Sequence, residues 1–258
     1  MGENQMVTLV IGGEEKQYPY GTSFLSIAQE YQQQYDDDIV LVVYNNRLRE
    51  LGMQKAVFHL WGDAHIGVCV KYSIGQGYYC ELWKNVDGVR EYVPVDEAKL
   101  ADLKREMDRL VAADLAIEKR SMNTDDAIAL FHELGMTDKE KLFRYRRSSR
   151  VNIYVLDHYK DYFYGFMVPS TGYLRYYDLT VYEDGFVLLF PNENARKVAP
   201  FVPSGKLFYA LKTSREWGRM LEIDTVGALN DVIAAGRMQE IVLTQEALFE
   251  ERIGRLAD

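Results

Sequence analysis

The pattern of apolar and polar positions predicts a small module at the start of the chain. Residues 6–11 are rich in β-forming side chains, Gly12 and Gly13 suit a tight turn, and residues 16–20 return as a second strand. A helix follows, with apolar residues three and four positions apart: Phe24, Ile27, Ala28 and Tyr31. Residues 39–44 then predict a central strand. The order strand, strand, helix, strand is typical of a β-grasp module.

The middle of the chain mixes strand and helix patterns. Residues 66–72 and 78–83 predict two strands around a glycine-containing turn, and residues 55–61 predict the end of a helix. Asp96 is placed to cap a helix with one apolar face, and another helix is expected from residue 124 to residue 134. The apolar face of the first of these helices comprises Leu100, Leu103, Met107, Leu110 and Val111.

From residue 142 to residue 190 the pattern is that of an antiparallel sheet. The predicted strands are FRYRRSS, VNIYVLD, YFYGFMV, LRYYDLTVY and GFVLLF. After Pro200 and Pro203 the pattern becomes helical. The last helix is expected to carry its apolar residues near one side: Met238, Ile241, Leu248, Phe249, Ile253 and Leu256. The chain is therefore predicted to be an α+β protein with a helical C-terminal segment.

Composition and charge narrow the function classes. The 258 residues are 48% hydrophobic and 27% charged, which is typical of a globular protein. A net charge of -9 argues against non-specific coating of nucleic acid or of an anionic membrane. Cys69 and Cys80 match no disulfide, zinc or redox pattern, and no run approaches the roughly 18 to 20 apolar residues of a membrane span. We expect a cytoplasmic protein that does not enter a membrane.

Motifs for catalysis are missing from the sequence. It contains neither the glycine-rich loop with Lys and Ser or Thr that surrounds phosphates, nor a serine in a Gly-x-Ser-x-Gly setting. The pair His59 and His65 is six residues apart and spans Gly62, a spacing that does not suit a helical zinc site. His132 and His158 are interpreted as surface or structural residues. We predict no catalytic residue, metal ligand or cofactor in this chain.

Residues 139–150 form the strongest charge feature. Six basic side chains and one glutamate give this segment a net charge of +5: Lys139, Lys141, Arg144, Arg146, Arg147 and Arg150. On a strand, Arg144, Arg146 and Ser148 would share one face. Because the guanidinium group donates two parallel hydrogen bonds to phosphate, Arg144, Arg146, Arg147 and Arg150 are candidate ligands for an anion. The alternative is a solvated strand that pairs with acidic neighbours.

Residues 162–178, YFYGFMVPSTGYLRYYD, contain seven Tyr or Phe side chains around a Pro-Ser-Thr-Gly turn. Cross-strand aromatic packing explains most of these rings as core. The turn itself also suits the rim of a nucleotide site or of a stacked base. We therefore add Ser170, Thr171, Tyr164 and Tyr173 to the candidate ligand-binding residues.

Several blocks resemble the N-terminal half of bacterial uridine kinase-like nucleoside kinases, whose front part is similar to threonyl-tRNA synthetase. The blocks are GTSFLSIAQEY, GQGYYCEL, LVAADLAIEKRSMNTDDAIALFHELGM, LFRYRRSS and DYFYGFMVPSTGYLRYYDL. The resemblance covers nearly the whole chain. It implies a TGS module, which is a ubiquitin-like β-grasp, followed by an α+β domain like the editing domain of the synthetase.

The sequence departs from that family pattern in three ways. The family's kinase domain, with its ATP and Mg²⁺, would follow this region, so kinase activity is implied only for a longer parent protein. The editing chemistry uses an H-x-x-x-H pair and a later Cys and His, whereas Met167 and Thr171 stand near the latter two positions and no H-x-x-x-H precedes GQGYYCEL. The TGS module is also shortened after residues 48–51.

These observations lead to one prediction with alternatives. We expect a β-grasp module at residues 1–52, a synthetase-like domain at 53–200 and a helical segment at 201–258 that leads toward the kinase. The predicted function is a non-catalytic recognition or regulatory region that binds nucleotide or RNA phosphate. An aminoacyl-tRNA editing hydrolase and a purely structural or oligomerisation domain are the alternatives. The expected partners are nucleotide or RNA, the kinase domain, and a second copy of the chain.

Overall fold

The computed structural model describes residues 6–11, 14–19, 22, 24–34, 48–62, 65–86, 89–165, 167–191 and 197–257. These residues form an α+β protein with antiparallel sheets, which confirms the predicted fold class. Among them, no helix combines the length and the apolar character needed to cross a membrane.

The start of the chain forms the predicted hairpin. Strands β1 (Met6–Ile11) and β2 (Glu14–Pro19) pair antiparallel, and helix α1 (Phe24–Tyr31) follows with Ile27, Ala28 and Tyr31 buried. The strand predicted at residues 39–44 lies outside the described residues. The β-grasp module and the domain boundaries at residues 52 and 200 therefore stay predictions.

A five-stranded sheet forms the largest unit. It contains β3 (Ile66–Ile74), β4 (Gly77–Val86), β5 (Val89–Val93), β9 (Asp178–Tyr182) and β10 (Gly185–Leu189). Strand β4 is central: β3 pairs with one edge, while β10 and β5 pair with successive halves of the other. Strand β9 extends the sheet beyond β10.

Two helices cover one face of this sheet. Helix α2 (Leu48–Trp61) and helix α3 (Glu97–Ala112) pack on it through an apolar core. Asp96 caps α3 as predicted, because its carboxylate accepts the backbone N–H of Lys99 at 2.8 Å. The predicted apolar face is confirmed, with Leu100, Leu103, Met107 and Leu110 buried and Val111 packed against the same core.

A three-stranded sheet forms the second unit, in the order β6 (Ile117–Asn123), β7 (Arg150–Leu156), β8 (Tyr159–Asp161). One face packs on helices α4 (Thr124–Glu133) and α5 (Thr137–Arg144). Tyr154 and Leu156, on the other face, join a core with Leu51 of α2 and with the segment after β8. Alternate residues of β7 therefore enter two different cores.

Three of the predicted strands are wrong in whole or in part. FRYRRSS is no strand, because Phe143 enters the core from helix α5, where it packs on Phe131 at 5.3 Å between ring centroids. YFYGFMV is irregular after β8 ends at Asp161. The first four residues of LRYYDLTVY precede β9, and Leu174, the first of them, lies in a 3₁₀ helix, Thr171–Leu174.

Three helices complete the chain: α6 (Gly205–Met220), α7 (Val226–Ala234) and α8 (Met238–Ala257). Phe208 of α6 is buried against Tyr72, Tyr79 and Tyr182 on the second face of the large sheet. Helix α7 packs on α5.

The apolar side predicted for α8 is only partly buried. Ile241 is buried and Leu248 is half-buried, but Met238, Phe249 and Ile253 are exposed. The side chain of Leu256 lies outside the described residues. Among the described side chains, most of this apolar side of α8 therefore faces solvent.

Candidate functional site

The basic segment folds as the end of a helix and a loop. Helix α5 ends at Arg144, residues 145–149 are irregular, and β7 begins at Arg150. We call residues 145–150 the basic loop. Its backbone is held at the start of α4, where Thr124 donates its N–H to the carbonyl of Ser149 at 3.0 Å and its hydroxyl to the carbonyl of Ser148. The alternation of faces predicted for a strand is therefore absent here.

Three of the six basic side chains are neutralised by carboxylates. Lys139 contacts Asp161, which is fully buried, and Lys141 lies 3.0 Å from Asp231. Arg144 donates to Glu140 one helical turn earlier. This half of the segment matches the alternative interpretation, in which the cations pair with acidic neighbours.

The other three arginines have no carboxylate partner among the described residues. Arg146 donates to the hydroxyl of Tyr162 at 2.6 Å and lies 5.4 Å from the centre of that ring. Arg150 donates to the side chains of Ser121 and Asn123 at 3.1 and 3.2 Å. Arg147 is exposed and makes no contact of either kind within the described part of the chain. Three uncompensated positive charges therefore lie on one short loop.

Tyr164 and Tyr173, the predicted ring contacts, differ in exposure. The side chain of Tyr164 is 72% exposed, at the tip of the irregular segment after β8. Tyr173 is half-buried and packs against the core that contains Leu174. Tyr164 is therefore the ring that a ligand reaches from solvent.

Ser170 and Thr171 serve the fold. The Ser170 hydroxyl donates to Asp114, whose carboxylate also accepts the N–H of Gly172 at 3.0 Å. Thr171 is fully buried, donates to the carbonyl of Leu110 at 2.5 Å and accepts the N–H of Leu115 at 2.8 Å. Because both hydroxyls bind groups of the protein itself, the proposed site does not include them.

The space beside Thr171 is almost filled. A cavity of about 10 Å³ remains there, which admits at most about one water molecule. We call it the Thr171 cavity, and it is lined by Gly52, Met107, Leu110, Val111, Thr171, Leu174 and Tyr177. Met167, the other position compared with the editing residues, packs half-buried against the neighbouring core. Among the described residues that line this cavity there is no His, Cys, Asp, Glu or Lys side chain.

Two histidines contact buried glutamates in the same arrangement. His59 lies 2.8 Å from Glu106, and His132 lies 3.0 Å from Glu140. Each glutamate is buried and also accepts from an arginine, Arg109 in the first pair and Arg144 in the second. Within the described residues, no group of three or more His, Cys, Asp or Glu side chains is arranged to hold a metal ion.

The sequence did not predict the polar residues that bind the candidate site residues Arg150 and Ser170. Ser121 and Asn123 on β6 hold Arg150, and Asp114 holds the turn at Ser170. Asp114 has a positive φ of 45°, a conformation that Asp and Asn adopt more readily than most residues. Only the pairing of β6 with β7 brings Asn123 opposite Arg150, so no local signal identifies the contact.

No known protein-family profile matches the chain. A stretch of 143 residues is 33% identical to the threonine–tRNA ligase of Syntrophotalea carbinolica and covers 54% of this chain and 21% of that protein. The threonine–tRNA ligase of Geobacter sp. strain M21 is 31% identical over 110 residues, which are 43% of this chain and 17% of the ligase. That of Syntrophomonas wolfei is 21% identical over 194 residues, 63% of this chain and 29% of the ligase.

These matches make part of the chain a region similar to threonine–tRNA ligases, also called threonyl-tRNA synthetases, as the resemblance predicts. The matched stretches span between 17% and 29% of the relatives' own length. The link to uridine kinase-like proteins stays a prediction.

Proposed function

We propose that this region is a non-hydrolytic RNA-binding domain related to the corresponding part of threonine–tRNA ligases. The observation that carries the proposal is the basic loop, in which Arg146, Arg147 and Arg150 have no carboxylate partner among the described residues. Uncompensated arginines on an acidic protein concentrate positive potential at one place, and phosphate neutralisation is the general source of RNA affinity. Similarity to tRNA ligases supports RNA as the ligand.

The geometry of the three arginines suits a phosphate backbone. Arg146 is held against Tyr162 and Arg150 against β6, so these guanidinium groups lose little further freedom when they bind. Arg147 lies between them in sequence and is free to adjust. Arg146 and Arg150 are held in place and Arg147 can adjust, so the three guanidinium groups can contact more than one phosphate.

The test is RNA binding by fluorescence anisotropy at several salt concentrations, with a labelled tRNA transcript. Three phosphate contacts predict a slope of log affinity against log salt of about -2 to -3. We expect Arg146→Glu with Arg147→Glu to weaken binding about tenfold or more and to flatten the slope.

The matched control is Arg105→Glu with Arg255→Glu. These residues pair with Asp102 and Glu251 on their own helices, and the control changes the net charge by the same amount. Equal loss of affinity in both double variants, or binding without salt dependence, would refute the assignment to the basic loop.

The similarity to tRNA ligases also favours the alternative of an aminoacyl-tRNA editing hydrolase. The Thr171 cavity argues against it, since hydrolysis needs room for the ester and a group that activates water. Incubation with mischarged tRNA, with and without a chelator, decides between the two. Turnover above the spontaneous rate would replace the binding proposal with the hydrolase.

A finer proposal is that the region regulates a uridine kinase-like nucleoside kinase. The sequence blocks described above support it, while the similar proteins are tRNA ligases. Sequencing the gene tests this proposal directly. A P-loop encoded in the same reading frame would place the kinase domain and this region in one protein. A frame without such a loop would remove the regulatory role.

A further inference from the structure

One face of the β6–β7 strand pair is covered by other parts of the protein in one half and exposed to solvent in the other half. Residues opposite each other in the two strands share a face, which places Lys119 with Tyr154, Ser121 with Asn152, and Asn123 with Arg150 on the same side. Tyr154 is buried in the core beneath this face, whereas Asn152 and Arg150 are exposed. The open half is therefore a shelf of polar side chains: Ser121, Asn123, Arg150 and Asn152.

Arg150 gives this shelf its charge. Its guanidinium group reaches across the strands and donates to the side chains of Ser121 and Asn123 and, at 3.1 Å, to the carbonyl of Ser121. All three acceptors are neutral, so the positive charge remains available to an anion. The contacts also hold the group against β6.

Tyr164 is the neighbour of Gly165, which contacts the covered half of this face at Tyr154. The hydroxyl of Tyr154 donates to the carbonyl of Gly165, which places the tip of the irregular segment over Tyr154. On the other side of Tyr164, Phe163 is buried and Tyr162 is held by Arg146. The exposed ring is thus anchored through both neighbours.

The backbone at this tip depends on a glycine. Gly165 has a φ of 108°, a conformation that residues with a side chain rarely adopt.

From Tyr154 to Arg150 the strand runs about 13 Å, since each residue advances about 3.3 Å. Tyr154, which contacts the segment that carries Tyr164, is therefore separated from Arg150 by a length that accommodates more than one nucleotide.

We infer that this shelf binds single-stranded RNA, with an unpaired base stacked on Tyr164 and the backbone phosphates on Arg147 and Arg150. This inference rests on the proposed RNA-binding function and specifies that the RNA is single-stranded. Bases in a duplex are stacked on each other and offer no free face, whereas an unpaired base stacks on an aromatic side chain. The shelf lies outside the Thr171 cavity, so the two are separate places in the fold.

The experiment compares a short labelled oligouridylate with an RNA hairpin of equal charge, using the full chain. Stacking of one base predicts that Tyr164→Ala weakens oligouridylate binding about tenfold and leaves the salt slope unchanged. Tyr164→Trp should retain the affinity, because it keeps an aromatic face. Tyr92→Ala is the control, since Tyr92 is a similarly exposed tyrosine on β5.

The outcomes separate this inference from the function on which it rests. Salt-dependent binding that is equal for oligouridylate and hairpin, or unaffected by Tyr164→Ala, overturns the stacking inference and leaves the phosphate contacts in place. Failure of every RNA to bind at low salt overturns both. Selective loss with Tyr164→Ala and rescue with Tyr164→Trp support the shelf.

Discussion

The hydroxyl of Tyr145 donates a hydrogen bond to the carboxylate of Asp231 at 2.6 Å, and this contact joins the end of α5 to α7. Lys141, one turn earlier on α5, lies 3.0 Å from the other oxygen of the same carboxylate. The basic loop begins at Tyr145, so the C-terminal helices hold the residue from which the candidate RNA contacts start. A movement of α7 would therefore act on the basic loop through the contact of Asp231 with Tyr145.

Removing the charge of Asp231 should weaken the α5–α7 contact in a pH-dependent way. The Tyr145 hydroxyl and then Lys141 hold the pKa of Asp231 below its ordinary value of 3.8. Because the pKa is lower in the folded state, the stabilisation is present above about pH 3.8 and is lost as the pH falls through the lowered pKa. We expect Asp231→Asn to unfold at lower urea concentration at pH 7.

Asp224→Asn is the control for this prediction, because Asp224 is exposed and, together with Asp231, lines a cleft bounded by α5, α7 and α8. The two variants should differ at pH 7 and converge with the wild type below the lowered pKa. A difference that persists unchanged at acid pH would show that the carboxylate charge is not responsible.

Gly227 allows α7 to approach α5 closely. A Cβ atom at this position would lie 2.6 Å from the Cβ of Lys141 and 3.0 Å from the backbone nitrogen of Leu142. Gly227→Ala should therefore lower the melting temperature, although alanine by itself favours a helix by about 1 kcal/mol over glycine. Gly254→Ala on α8 meets nothing within 4 Å and should raise it. If both variants raise the melting temperature, the close contact between α5 and α7 is disproved.

Thr171 should be required for stability, with no role in catalysis. Replacement by valine keeps the shape but leaves the carbonyl of Leu110 and the N–H of Leu115 without their partner. We expect Thr171→Val to lower the free energy of unfolding by about 1–3 kcal/mol in urea denaturation. Thr8→Val, at an exposed position of β1, should have little effect. A Thr171→Val protein as stable as the wild type would contradict the buried hydrogen bonds.

Glu106 should stabilise the protein at neutral pH and lose its effect in acid. It accepts from Nε and Nη2 of Arg109 at 2.8 and 2.7 Å, and these bonds, with His59, hold its pKa below the ordinary 4.5. The contribution is thus present above about pH 4.5 and lost as the pH falls through the lowered value. Glu106→Gln should cost about 1–2 kcal/mol at pH 7 and less at pH 3.

Glu133→Gln is the control for the Glu106 variant, because Glu133 is exposed on α4. Urea denaturation of both proteins at the two pH values measures the difference. A loss for Glu106→Gln that is as large at pH 3 as at pH 7 would point to packing and away from charge.

Helices and strands whose capping residues and apolar pattern lie within the element itself could be predicted from the sequence. Helix α3 has its cap at Asp96 and an apolar residue at each turn, and all of these signals lie within the helix itself. Strand β10 is a continuous apolar run, GFVLL, that becomes fully buried. In both cases neighbouring residues decide the structure, so the pattern and the fold agree.

The basic loop and the tip at Tyr164 could not be predicted, because distant residues decide their shape. Phe143 and Tyr145 alternate with arginines as in a strand, yet Phe143 packs on Phe131 from a helix. Gly165 is held by Tyr154 from another strand, and Thr171 by Leu110 from α3. The candidate arginines could be named from charge alone, but which of them keep an uncompensated charge depends on these long-range contacts.

Helix α8 has 20 residues, and Ile241 is the one buried side chain among those described in it. Most helical stability in proteins comes from the packing of an apolar face, and α8 has little of it. The amide hydrogens of α8 should therefore exchange with solvent through local opening, at a cost far below that of global unfolding. We therefore expect α8 to unfold and refold while the five-stranded and three-stranded sheets stay intact.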